Sequence, residues 1–171
     1  MSTTGIIIII AIVAIILGVG IFFLVRYLTN KEKYDLTTKY GTKILLSPQT
    51  KNIKVDVFNN WSDDVVDFWY KSKDWNKKEC YEELSKMKVK IYDAEYLERS
   101  GYKVSGMMCP ESSLIEISTF PKGTQVASLE RIASLFRHET SHIIAQFVGN
   151  LDPGIGGEAH HKLFAEVSLK A

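Results

Sequence analysis

His138-Glu139-Thr140-Ser141-His142 is the stretch on which the reading of this chain turns. All four histidines fall between positions 138 and 161, and the first two frame this H-E-x-x-H run. Residues four apart on a helix sit on one face, one turn above each other. Two imidazoles so placed can hold one metal ion, and Glu139 lies one step round, within reach of a water on that metal. A charged Glu139 inside an apolar helix is costly without a partner, and a metal-held water supplies one.

The spacing around the motif is helical from about Ser128 to Val148. Glu130 suits the positive end of the helix dipole, and Gly149-Asn150 follows the end, where a left-handed residue is commonly needed. Ile132, Leu135, Phe136, Ile143, Ile144, Phe147 and Val148 occupy several faces, so the helix is expected to be central and mostly buried. A catalytic zinc takes three protein ligands and keeps one position open. Asp152, Glu158, His160, His161 and Glu166 are the candidates for the third. A short final helix is expected over Glu158 to Leu169, with Leu163, Phe164 and Val167 turned inward. His160 lies three, four and seven residues before them, on the same face, and is ranked first, with Glu158 and then His161 behind it.

The motif helix, the glycine-bearing loop and the segment Gly156-Gly157-Glu158-Ala159-His160-His161-Lys162-Leu163-Phe164 together resemble the SprT-like and related small zincin metallopeptidases. The resemblance covers about residues 128–168. It implies that a histidine opening the next helix, here His160, completes a zinc site with His138 and His142. This chain has His161 where a glycine commonly follows that ligand. A metzincin pattern is absent, since Ala145 and Val148 stand where its glycine and histidine belong. A gluzincin pattern would take Glu158 instead. The implied chemistry is hydrolysis of a peptide or protein substrate by a water on Zn2+, with Glu139 as general base. Tyr102, Arg137 and His161 are candidates for stabilising the oxyanion. The strand expected at Ser113 to Ser118 resembles the sheet edge that pairs with an extended peptide in such enzymes.

Upstream, Ile6 to Val25 is twenty residues with no charged or strongly polar side chain. As a helix it spans about 30 Å, the thickness of a bilayer core. A cleaved signal peptide fits poorly, because the first five residues carry no Lys or Arg and the run is long. The lipid bilayer is thus the expected partner of residues 6–25. Arg26, Lys31 and Lys33 follow closely, which places the C-terminal part on the cytoplasmic side of a single-pass anchor. The expected organisation is a tail at 1–5, an anchor at 6–26, a stalk at 27–39 and a catalytic domain at 40–171.

Within that domain short strands are expected at Lys43 to Leu46, Ile53 to Phe58, Val89 to Ile91 and Ser113 to Ser118. Ser47-Pro48-Gln49-Thr50 reads as a turn. Helices are expected over Ser62 to Lys71, capped by Ser62 with Asp63 and Asp64 in its first turn, and over Lys77 to Met87. Arg99 to Pro110 reads as loop or irregular hairpin. The fold class is α+β: a small zincin-like domain with a short mixed sheet and a central active-site helix, preceded by one transmembrane helix. Net charge is +1, with no basic run, so nucleic acid is not expected as a partner. Cys80 and Cys109 are too few for a disulfide framework; they read as free thiols in a cytosolic domain or one bridge in an external one. Two further classes stand beside the peptidase: a non-catalytic zinc-binding protein of a virus or larger assembly, and a hydrolase of cell-wall peptides.

Overall fold

The computed structural model describes residues 12, 13, 15–23 and 33–150, and the chain divides into two units, Met1–Lys33 and Tyr34–Ala171. In the first, residues 12, 13 and 15–23 are helical, and Ile15, Ile16, Leu17, Ile21, Phe22 and Phe23 are all exposed. Much of the expected anchor at 6–26 lies outside the described residues. Among the described residues no helix is long and apolar enough to cross a membrane.

The second unit is α+β. Its main sheet has five strands in the order β1-β2-β3-β7-β6: Leu36–Thr37, Lys43–Leu45, Lys88–Tyr92, Leu114–Ser118 and Gly106–Cys109. β2, β3 and β7 run parallel; β1 and β6 are antiparallel edges. Leu36 and Thr37 fall in the stretch read as a stalk, so the sheet begins before Tyr40. A separate hairpin pairs β4 (Leu97–Arg99) with β5 (Tyr102–Val104). Its turn, Ser100-Gly101, has positive φ at both residues, the geometry that matches strand twist in a tight hairpin.

Register puts Ile44 beside Val89 beside Ile115, and Ile91 beside Ile117. All five are buried and share the core with three helices: α1 (Val55–Lys73), α2 (Lys77–Lys86) and α3 (Leu129–Phe147). The strand expected at Ile53 to Phe58 is instead the entry and opening turns of α1. Three alternating apolar residues look like a strand in isolation. Phe58 in fact opens a stripe continued by Trp61, Val65 and Trp69, the period of a buried helix face. Ser62 is accordingly no cap: its hydroxyl donates to Phe58 O at 2.8 Å, one turn back. Asp63 and Asp64 sit mid-helix, where they meet Lys39 and Arg137.

The other helix ends follow local chemistry. Asp74 adopts φ 55° and returns its N–H to Tyr70 O at 2.9 Å, closing α1. Asn76 caps α2 by accepting from Lys78 N at 2.9 Å, and Ser128 caps α3 by accepting from Arg131 N at 3.2 Å. At the far end of α3 the left-handed residue is Asn150, at φ 51°. Gly149 is needed for space: a Cβ there would lie 2.1 Å from Trp75 Cζ2, in a ring stacked 4.6 Å from Trp69. Cys80 and Cys109 are free; Cys80 is buried, which pushes its thiol up to about 11.

Glu116 on β7 is a buried acid of the main sheet with a bidentate partner. Arg99 of the hairpin reaches it with Nη2 at 2.7 Å and Nε at 3.0 Å, and Tyr92 donates at 2.6 Å. Burial pushes its carboxyl upward, but the Tyr92 and Arg99 hydrogen bonds and the Arg99 charge outweigh that and hold it below the usual glutamate value of 4.5. A lowered folded pKa adds stability above the unfolded value, and this is lost as pH falls through the folded one. Denaturant titrations at pH 7 and pH 3 should therefore show a smaller acid loss for Glu116→Gln than for the parent chain. Gly149→Ala should cost about 1–3 kcal/mol in the same assay, because the Trp75 ring must leave its stack.

Candidate metal centre

α3 carries the whole H-E-x-x-H motif, and its burial pattern divides the motif in two. Thr140 and Ser141 are fully buried and Glu139 is 6% exposed, while His138 and His142 are half-buried. The helix is therefore covered on most sides, as its apolar distribution predicts, and opens along the histidine face. His138 Nε2 and His142 Nε2 approach to 3.2 Å, with the rings edge to face at 4.9 Å. Two imidazole nitrogens each about 2.0–2.1 Å from a tetrahedral zinc lie about 3.3 Å apart. The separation of the pair is thus close to that of two nitrogens sharing such an ion. Without a cation the same separation is an N–H···N hydrogen bond between a donor and an acceptor tautomer.

Glu139 lies beneath β6. A Cβ built on Gly106 would come 2.8 Å from Glu139 Oε1 and 3.3 Å from its Cγ. Burial pushes the carboxyl up to about 8. Arg131, two turns before His138, fixes the helix beneath the sheet. Its Nη2 donates to Ser105 Oγ at 2.8 Å, Ser118 Oγ at 3.1 Å and Glu95 O at 3.1 Å, joining the start of α3 to the approach to β6 and the end of β7.

The edge beside the motif is not the strand expected there. β7, within the expected 113–118 strand, is paired on both sides, with β3 and with β6, and β6 is the edge. Gly-Met-Met-Cys lacks both alternation and β-branched residues, so it carries no strand signal of its own; ladder pairing with Leu114 to Ile117 makes it one. Gly106 is the residue at this site that sequence reasoning missed, since a glycine between Gly101 and Pro110 looks like loop.

His160, Glu158, His161, Asp152 and Glu166 lie outside the described residues. Among the described residues no three His, Cys, Asp or Glu side chains group around a metal position. Of the oxyanion candidates, Tyr102 is 74% exposed at the hairpin turn. Arg137 is turned to α1: its Nη2 donates to Asp64 Oδ2 at 2.9 Å, and its guanidinium lies 5.8 Å from the Trp61 ring centre. It holds two helices together. No protein-family model, no curated protein and no solved structure matches this chain.

Proposed function

We propose that this chain is a zinc-dependent peptidase with a zincin-like domain, tethered to a membrane through residues 6–25. His138, His142 and His160 hold the zinc, and Glu139 is the general base. The observation that carries the reading is the 3.2 Å approach of the two Nε2 atoms, at zinc-ligand spacing, on the helix that buries Glu139. When bound, zinc acidifies a coordinated water and polarises the scissile carbonyl. Glu139, which burial alone holds protonated, would be returned to the carboxylate by a cation on the adjacent histidines, and would then take a proton from the attacking water and return it to the leaving amine. β6, as the antiparallel edge beside Glu139, is where an extended peptide adds as a further strand, its backbone paired to that edge.

Purified full-length chain should bind about one zinc, released by chelator. His138→Ala, His142→Ala and His160→Ala should each weaken zinc binding by more than the ~10–100-fold typical of an outer partner, whereas Glu158→Gln and His161→Ala should not. Glu139→Gln should keep zinc and lower kcat by about 100- to 10,000-fold. Full activity in that variant removes the base; zinc bound with no cleavage across a peptide library leaves a non-catalytic zinc protein.

The tether rests on the twenty-residue apolar run and the exposed apolar side chains of its described part. Full-length chain expressed in a cell should remain with membranes after alkaline carbonate washing, and a chain lacking residues 1–26 should not. Release of the full-length chain by that wash removes the anchor.

A further inference from the structure

Gly106 has an ordinary reason to be disfavoured. Glycine in a strand loses conformational entropy and packs nothing. Its backbone does not require it either, because the positive-φ glycines among the described residues are Gly41, Gly101 and Gly123. Met107, Met108 and Cys109 continue the same strand with full side chains, in ladder pairing with β7. Space is what Gly106 supplies. A methyl group there would press on Glu139 at 2.8 Å from Oε1, 3.3 Å from Cγ and 3.4 Å from Cδ, all on one side chain. An exposed glutamate would swing aside at little cost. Glu139 is 6% exposed, Thr140 and Ser141 beside it on the helix are fully buried, and Arg131 pins that helix to Ser105, the residue before Gly106, so the side chain has little room to turn away.

We infer that Gly106 is a positioning residue for Glu139: the absent side chain on the edge strand is the space that the carboxylate occupies beside the histidine pair. The catalytic consequence rests on the peptidase reading above; the steric coupling does not. Any side chain at 106 displaces the carboxylate while leaving His138 and His142 in place. The same strand thus has two duties, since its outer edge faces the incoming peptide and its glycine sets the depth of the base.

Gly106→Ala in the full-length chain tests this with two separate readouts. The melting temperature should fall by about 3–8 °C in the parent background. It should fall by less than a third of that in a Glu139→Ala background, where the colliding atoms are gone. If Gly106→Ala alone does not fold, the Gly106→Ala/Glu139→Ala double variant should. Equal losses in both backgrounds, or a double variant that also fails to fold, would show that β6 needs glycine for reasons unrelated to Glu139 and overturn the proposal. In catalysis, Gly106→Ala should keep zinc and KM within about twofold while kcat drops at least tenfold, approaching the ~100-fold cost of an ~1 Å misplacement. Parental kcat in an active, folded Gly106→Ala enzyme also overturns it. An inactive parent chain defeats the peptidase reading, and the melting-temperature coupling still decides the role of Gly106.

Discussion

The described part of the second unit is organised by the packing of α3 between the sheet and α1. Ile132, Phe136, Ile143 and Ile144 are essentially fully buried, and Phe136 meets Phe58 at 5.6 Å and Trp61 at 5.8 Å. Burial of four such side chains contributes roughly 6–12 kcal/mol before chain entropy is charged against it. That is enough to carry a buried acid, whose desolvation costs several kcal/mol if it ionises unaided. The helix can therefore place Glu139 in its covered part only because apolar neighbours on its other faces secure it.

Polar contacts then set position more than they add stability. Arg131 spends one guanidinium nitrogen on three oxygens from three segments, which locates the start of α3 against the sheet. Arg137 fixes the same helix laterally to α1 through Asp64. Arg99 neutralises Glu116 and Tyr92 donates a hydrogen bond to it, where β7 would otherwise bury a bare charge. Arg131 and Arg137 lie on α3 itself, and Arg99 ties the hairpin to β7, the strand with which β6 pairs. The geometry of the histidine pair and of Glu139 is thus held from several directions, and none of those directions involves the motif itself.

Much of this was legible in the residues. α3 follows from its periodicity and from Ser128, and the faces of β3 and β7 follow from Val89, Ile91, Ile115 and Ile117. The start of α1 did not, because Ile53, Val55 and Val57 satisfy a two-residue period as well as they satisfy a helix entry. Only the distant stripe through Trp69, on a helix packed against α2 and α3, breaks that tie. β1 and β6 were illegible for a related reason. Two and four residues respectively, they become strands by pairing with β2 and β7, a non-local gain that short windows do not contain.

The sequence by itself determined that two imidazoles and a carboxylate share neighbouring turns of one helix, since their relation is set by a fixed rotation per residue. It also determined the α+β class and the apolar run at the N-terminus. Tertiary structure alone decided which strand borders the motif, that Arg137 belongs to α1, and that Gly106 stands over Glu139. Those relations join residues from 33 to 73 positions apart. They depend on sheet order and helix docking, which arise from the summed packing of the core and leave no local pattern in the chain.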